Sequence, residues 1–134
     1  MRLRSKSGER GFTLIEMVVV ISLILVLLSI ALPMYNQSII RARESTLRQD
    51  LFTLRHVIQQ YTLDKQKAPQ SLDDLVGAHY LKFIPKDPMT GRNDTWQVDQ
   101  EDSILSPDQT APGIIDVHSG ANQTASDGST YSSW

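Results

Sequence analysis

The sequence of 134 residues contains no cysteine. This absence excludes disulfides, thiolate zinc sites, iron–sulfur clusters and a thiol nucleophile. The three histidines, His56, His79 and His118, form no H-x-x-x-H or H-E-x-x-H pair, so metal catalysis has no support. The chain also lacks a glycine-rich loop that could cradle phosphate, so any ATP used on its behalf must be hydrolysed by another protein. We therefore expect no enzymatic activity.

Basic residues are scarce in the distal half of the chain. From Ala68 onward three basic residues stand against ten acidic ones, whereas residues 1–11 hold four basic residues and one acidic residue. Proteins that bind nucleic acid present a basic face to the phosphates. We therefore expect no nucleic-acid partner, and the simplest interpretation of the acidic half is a solvated surface.

One long apolar run follows the basic leader. It covers Phe12–Leu32 and is interrupted only by Thr13, Glu16, Ser22 and Ser29. A helix of that length spans about 31 Å, which matches the hydrocarbon core of a bilayer. A carboxylate inside such a segment costs at least about 2.5 kcal/mol by insertion scales, so we expect Glu16 to have a cationic partner. The side chains available for packing are Val18, Val19, Val20, Ile21, Leu23, Ile24, Leu25, Val26, Leu27 and Leu28.

Three interpretations of this segment compete. An ordinary signal peptide would be cut after a small-x-small site, and Ser29-Ile30-Ala31 offers one. An uncleaved anchor would explain the length of the run. Neither interpretation explains why Glu16 is present.

The third interpretation comes from a recognisable motif. A short basic leader is followed by Gly11-Phe12-Thr13-Leu14-Ile15-Glu16, and a proline, Pro33, lies just past the apolar run. This pattern resembles the signal of type IV prepilins and type II secretion pseudopilins. The resemblance implies that a prepilin peptidase cuts between Gly11 and Phe12 and that Phe12 is then N-methylated.

Such a cut creates a cationic amine at Phe12 that has no counter-ion of its own. Residues four apart lie on one face of a helix, so Glu16 is about one turn away. When many such helices pack side by side, Glu16 of one copy can neutralise the Phe12 amine of its neighbour. A slipped copy would bury both charges unpaired, so the pair would set the register of assembly.

The next segment is amphipathic and predicts a helix that continues the first one, with a kink or a melted turn at Pro33. Its polar side holds Arg48, Gln49, Asp50, Arg55 and Gln59. Four charged residues form either a solvated helix face or salt bridges between subunits. They are Arg41, Arg43, Glu44 and Arg48. The apolar stripe, which we expect to pack on the C-terminal domain rather than in a coiled coil, consists of Ile40, Leu47, Leu51, Leu54, Ile58 and Tyr61.

The distal segment predicts one short helix and two strands. Pro69 ends the long helix, and Ser71 with Asp74 predicts an N-cap for a helix that runs to about Gly77. Strands are expected at 95–98 and 113–118, the second with Ile115 and Val117 on one face.

The order of these elements resembles the major pseudopilin of type II secretion, protein G of that system. The resemblance implies an α+β, lollipop-shaped fold in which a long N-terminal helix packs on a small C-terminal antiparallel sheet with loops. The expected divisions are a cleaved leader (1–11), an assembly helix (12–32), an amphipathic helix (33–67) and a β-domain (68–134). No cofactor is required, but such proteins often hold calcium in an acidic C-terminal loop. Here Asp116 and Asp127 are the candidate ligands, and an Asx turn with a strand end is the alternative for the same residues.

The function implied by the resemblance is that of a structural subunit in a periplasmic filament that drives type II secretion. The expected location is the bacterial inner membrane, crossed once, with the C-terminal domain in the periplasm. The expected partners are copies of the chain, the prepilin peptidase, minor pseudopilins and an inner-membrane platform with a separate ATPase. The alternatives are a surface type IV pilus subunit for adhesion, motility or DNA uptake, and a small periplasmic binding module with an ordinary signal.

Overall fold

The computed structural model of the protein describes residues 11–101, 107 and 111–134. Leader residues 1–10 lie outside the described residues. Among those described, the elements in chain order are α1 (Leu14–Lys65), α2 (Leu72–Gly77), β1 (Gln97–Glu101), β2 (Gly113–His118) and a short 3-10 turn at Tyr131–Ser133. The predicted α+β class, with one long N-terminal helix and a small antiparallel sheet, is confirmed.

The α1 helix is 52 residues long and stays helical through Pro33. Proline cannot donate a hydrogen bond to the carbonyl four residues earlier, yet the helical backbone continues on both sides of it. The melted turn that the sequence allowed at Pro33 is therefore not formed. The helix ends at Lys65 because Gln66 adopts a left-handed backbone conformation with φ 56°.

The described residues form two compact units, the first ending at Ser38 and the second covering Ile39–Trp134. The second unit has its own apolar core. One face of α1 contributes Leu47, Leu51, Leu54, Ile58 and Tyr61 to that core. The other core residues come from α2, the sheet and the C-terminal segment: Leu75, Trp96, Ile114, Val117, Ala121, Ala125 and Tyr131. The amphipathic stripe is thus confirmed, except that Ile40 is exposed.

The short helix α2 begins where the sequence predicts. The Ser71 hydroxyl accepts a hydrogen bond from the backbone N–H of Asp74, and the Asp74 carboxylate accepts one from the N–H of Ser71. This capping box satisfies two donors at the helix start that would otherwise lack partners. The helix buries Leu75 in the core.

A β-bulge in the sheet changes which side chains are buried. The register pairs Asp99 with Asp116 and then Gln100 with Ile114, so Ile115 has no partner on β1. A bulge inserts one extra residue and interrupts the alternation of faces. As a result Ile114 and Val117 are buried while Ile115 is exposed, and the prediction that Ile115 shares a face with Val117 is wrong.

A buried aspartate fixes the turn-rich stretch before the sheet. Asp87 accepts hydrogen bonds from the backbone N–H of Met89 at 2.8 Å and from the Ser119 hydroxyl at 2.5 Å. Both Asp87 and Ser119 are fully buried. Because Ser119 directly follows β2, this pair fastens the turn to the start of the C-terminal segment.

Candidate functional site

The predicted cleavage site lies just before the start of α1. Gly11 and Phe12 precede the helix, which begins at Leu14. The Thr13 hydroxyl accepts a hydrogen bond from the Glu16 backbone N–H at 3.2 Å, and the Thr13 carbonyl accepts one from Met17 N–H at 3.1 Å. Thr13 therefore acts as the N-cap of α1. Sequence reasoning missed this role, although Thr followed three residues later by Glu is a capping pattern.

Glu16 occupies the first turn of α1 and is exposed. A carboxylate at this end of a helix interacts favourably with the helix dipole. Within the described residues no cation lies at salt-bridge distance from Glu16. The carboxylate is thus positioned at the helix start, where it is open to a partner from outside the described residues.

The apolar surface of the first unit is uncovered by the described chain. Every large apolar side chain from Phe12 to Tyr35 is at least 43% exposed. The hydroxyls of Ser22 and Ser29 donate to carbonyls of the same helix, at 2.7 Å from Val18 O and 2.6 Å from Val26 O. Among the described residues α1 alone is long and apolar enough to cross a membrane. This composition and these internal hydrogen bonds fit a helix inserted in lipid or packed among similar helices.

The second unit contains three charged residues of α1 that contact the C-terminal segment. We call Glu44, Arg48 and Arg55 the charged triplet. Glu44 is buried and accepts hydrogen bonds from Ser126 N–H at 2.8 Å, Ser126 Oγ at 2.5 Å and Tyr131 Oη at 2.8 Å. These bonds, led by that of the Ser126 hydroxyl, outweigh burial and lower the pKa of Glu44.

The two arginines of the triplet also contact this segment. Arg55 donates from Nε to Asp116 Oδ1 at 2.6 Å and from one terminal nitrogen to the carbonyls of Val117 and Trp134, at 3.0 and 2.6 Å. Arg48 lies over the Trp134 ring, with 4.4 Å between the guanidinium carbon and the ring centroid. The sequence pattern placed Arg48 and Arg55 on the polar side of the helix. It left open whether Glu44 faces solvent or forms salt bridges between subunits. It missed the triplet because the partners lie 61 or more residues away.

The two candidate calcium ligands are part of other interactions. Burial opposes ionisation of Asp116, but hydrogen bonds from Val117 N–H and Arg55 outweigh it and lower the pKa of Asp116. In Asp127, Oδ1 accepts from the hydroxyl and the N–H of Ser129, and these bonds lower the pKa of Asp127. Its Oδ2 lies 3.8 Å from the guanidinium of Arg48. Each carboxylate therefore faces an arginine.

A second group of potential ligands lies across the two strands. Nε2 of His118 is 2.9 Å from Asp99 Oδ2 and 3.6 Å from Asp116 Oδ2, while its Nδ1 is 2.5 Å from the carbonyl oxygen of Trp134. Asp127 is not a member of this group of Asp99, Asp116 and His118. The sequence did not predict the group, since it depends on the pairing of Asp99 with Asp116 in the bulged register.

Comparison with known proteins gives matches in two groups. A sequence profile described as "Prokaryotic N-terminal methylation motif" matches residues 6–32. Type II secretion system core protein G of Klebsiella pneumoniae is 31% identical over 127 residues, which cover 83% of this chain and 83% of that protein. Protein G of Escherichia coli is also 31% identical, over 102 residues that cover 64% of this chain and 70% of that protein.

The other group consists of fimbrial proteins. A Type IV major fimbrial protein FimA of Dichelobacter nodosus is 33% identical over 76 residues, which cover 57% of this chain and 49% of that protein. The chain thus spans about half the length of this fimbrial relative. No solved structure matches the chain.

Proposed function

Because the chain belongs to the family of type IV pilins and type II secretion pseudopilins, we propose that it is a non-enzymatic subunit of a periplasmic filament that drives type II secretion. The observation that carries this proposal is the likeness to protein G, which extends over 83% of both chains. The likeness to the fimbrial protein covers a smaller share of each. The exposed apolar half of α1 supports polymerisation, since its surface needs a cover that the described chain does not supply.

Processing prepares the chain for assembly. In the proposal the prepilin peptidase cuts between Gly11 and Phe12 and the Phe12 amine is methylated. The new terminus lies just ahead of the Thr13 cap, so the cation sits at the positive end of the helix dipole. That position is unfavourable for a cation, and a carboxylate from outside the helix relieves it.

Glu16 of a neighbouring copy supplies this carboxylate. In a bundle of apolar helices, a pair between the Phe12 amine and Glu16 forms only when adjacent copies have the correct axial register. A slipped copy leaves two charges buried without partners, at a cost of several kcal/mol. The pair therefore determines register, while the apolar side chains of α1 supply most of the contact area.

Separate proteins would supply the energy and the platform for assembly. Assembly would use an inner-membrane platform with its own ATPase, and minor pseudopilins would join the filament. The chain would cross the inner membrane once, with Ile39–Trp134 in the periplasm.

A second candidate is a subunit of a surface type IV pilus used for adhesion, motility or DNA uptake. The fimbrial matches favour it. The same cleavage, methylation and helix packing would serve either filament, so the two candidates differ in destination and not in the chemistry of Phe12 and Glu16.

The mass of the mature N-terminus tests the class of function. The full gene is expressed in a host that contains the prepilin peptidase, and the purified membrane protein is measured by mass spectrometry. We expect a chain that begins with N-methylated Phe12. A chain that begins at Leu32, as an ordinary signal peptidase would produce, contradicts the proposal.

Deletion of the gene distinguishes the two filaments. Loss of exoprotein export with surface fibres intact supports the secretion filament. Loss of surface fibres with export intact supports the type IV pilus. In either case the plasmid-borne gene should restore the lost property, and a copy carrying Glu16→Ala should not.

A further inference from the structure

The C-terminal segment, residues 119–134, has little regular structure of its own. Within it the described backbone pairing consists of one isolated β-bridge between Thr124 and Thr130, a turn in which Gly128 N–H donates to the carbonyl of Ala125, and the 3-10 turn Tyr131–Ser133. Serine, glycine and threonine make up nine of its sixteen residues. The segment contributes Ala121, Ala125 and Tyr131 to the apolar core. Its other residues are mostly polar, so their order depends on side-chain contacts with the rest of the unit.

The charged triplet supplies these contacts from one face of α1. Glu44, Arg48 and Arg55 are spaced by four and seven residues, a spacing that keeps side chains on one side of a helix. Glu44 accepts three hydrogen bonds from Ser126 and Tyr131. Charge-assisted bonds of this kind are stronger than those between neutral groups.

Arg55 joins three parts of the chain. Its guanidinium binds the side chain of Asp116 and the carbonyl of Val117, both on β2, and the carbonyl of Trp134. The planar fork of an arginine suits such multiple acceptors, because its donors are held in fixed directions. The Arg55 side chain thus connects β2 and Trp134 through hydrogen bonds.

Arg48 and Trp134 complete the arrangement. Arg48 lies against the face of the Trp134 ring, a geometry in which cation and ring attract. The Trp134 ring also packs edge-on against Tyr131, and its Nε1 donates to the Ser129 hydroxyl at 2.6 Å.

The donor set fits a calcium ion poorly. Calcium requires six to eight oxygen ligands, whereas the candidate carboxylates of the C-terminal part are Asp116 and Asp127. The neighbouring group of Asp99, Asp116 and His118 adds one further carboxylate and a ring nitrogen. Asp116 already accepts from Arg55 Nε and Val117 N–H through one oxygen, while Asp127 faces Arg48. A divalent cation at either carboxylate would be repelled by the neighbouring guanidinium and would compete with it.

We infer that the charged triplet of α1 orders the C-terminal segment in this chain without a divalent cation, so that arginine and glutamate side chains serve where related proteins are expected to use calcium. The inference is independent of the proposed filament, because it concerns contacts within Ile39–Trp134 alone. It makes Arg55 and Glu44 positioning residues for the C-terminal segment.

Calcium titration of the wild-type chain is the first test. The full-length protein, solubilised in detergent, is unfolded thermally in EDTA and again in millimolar calcium chloride. A ligand that binds only the folded state raises the Tm. We expect the same Tm in both conditions. A rise of several degrees in calcium would overturn the inference.

The second test removes one member of the triplet. In Arg55→Gln we expect a lower Tm and faster amide hydrogen exchange at residues 123–131, in both EDTA and calcium. The matched control is Arg92→Gln, because Arg92 forms an ion pair with Asp94 at 2.6 Å on the exposed surface. The control should leave exchange at 123–131 unchanged.

Two outcomes of the second test would contradict the inference. One is unchanged exchange at residues 123–131 both in Arg55→Gln and in Glu44→Gln, which removes the carboxylate that binds Ser126 and Tyr131, since the segment would then be ordered by other contacts. The other is exchange in the wild-type chain that slows on addition of calcium, since the metal would then contribute what we assign to the triplet. If Arg55→Gln does not fold, the calcium titration of the wild-type chain still tests whether calcium stabilises the folded protein.

Discussion

The two halves of α1 have opposite surroundings although they belong to one continuous helix. Before Ser38, apolar side chains such as Leu25 are 60% exposed, whereas beyond it Leu47 and Leu54 are fully buried. The second half has an apolar stripe on one side that its own domain covers, and the first half is apolar on nearly every side. A helix that is hydrophobic all round must be covered by lipid or by other proteins. The first half is therefore built for contacts outside the chain and the second for contacts within it.

Removal of the Glu16 carboxylate should have the largest effect, and that effect should be confined to the first half. In Glu16→Ala we expect normal cleavage and methylation but no filaments, because the Phe12 amine would lack its partner. Filament yield is measured by electron microscopy and the mature terminus by mass spectrometry. The control is Ser22→Ala, because the Ser22 hydroxyl donates to the carbonyl of Val18 in its own helix. Normal incorporation of Glu16→Ala would refute the charge-pairing mechanism.

A matched pair of leucine substitutions tests the comparison directly. Leu54→Ala should lower the free energy of unfolding by about 2–5 kcal/mol, because it leaves a cavity in the core. Leu25→Ala should leave that free energy unchanged in detergent, since the Leu25 side chain is largely exposed and removing it leaves no cavity in the core. Denaturant unfolding followed by tryptophan fluorescence measures both, because Trp96 and Trp134 both lie in the second unit. Equal effects of the two substitutions would show that the halves do not differ as described.

Two glycine substitutions test how closely the second unit packs around its glycines. A Cβ at Gly120 would lie 2.1 Å from the carbonyl oxygen of Thr95, whereas a Cβ at Gly77 would meet nothing within 4 Å. Gly120→Ala should therefore cost about 1–3 kcal/mol of stability, as overpacking does. Gly77→Ala should be neutral or slightly stabilising. A Gly120→Ala chain as stable as wild type would mean that the backbone at Thr95 can move aside.

The smallest expected effect concerns acid pH and the buried Glu44. Its pKa is lowered in the folded state, so its contribution to stability is present above the ordinary value of 4.5 and is lost as the pH falls through the folded pKa. Glu44→Gln removes this contribution at every pH. We expect the Tm of wild type to fall more than that of Glu44→Gln on acidification below about pH 4.5. The exposed Glu101→Gln should behave like wild type, and an identical acid response in Glu44→Gln would contradict the assignment.

Much of the fold follows from local sequence signals. The N-cap at Ser71 and the bounds of β2 were predicted from residues that lie next to one another, and both are confirmed. The amphipathic stripe was predicted from spacing alone. Signals of this kind suffice because helix starts and apolar periodicity depend on residues within one or two turns.

One error is local, since the first strand was predicted at 95–98 and is Gln97–Glu101. The others lie mainly where distant segments meet. Ile115 was expected beside Val117, but the register shift opposite Asp99 exposes it. Glu44 gave no sign of burial because its partners, Ser126 and Tyr131, come 82 and 87 residues later. Ile40 continues the periodicity but lies outside the part of α1 that the domain covers.

The sequence by itself determined the motif around Gly11 and Phe12, the uncovered apolar run and the family to which the chain belongs. These features depend on short spacings and on composition, which can be read from the sequence without knowledge of the fold. Only the tertiary structure decided which polar residues of α1 face inward, because burial of a charge depends on where its partners come to lie. The three residues of the charged triplet look like ordinary solvated side chains in the sequence, and the fold makes them the supports of the C-terminal segment.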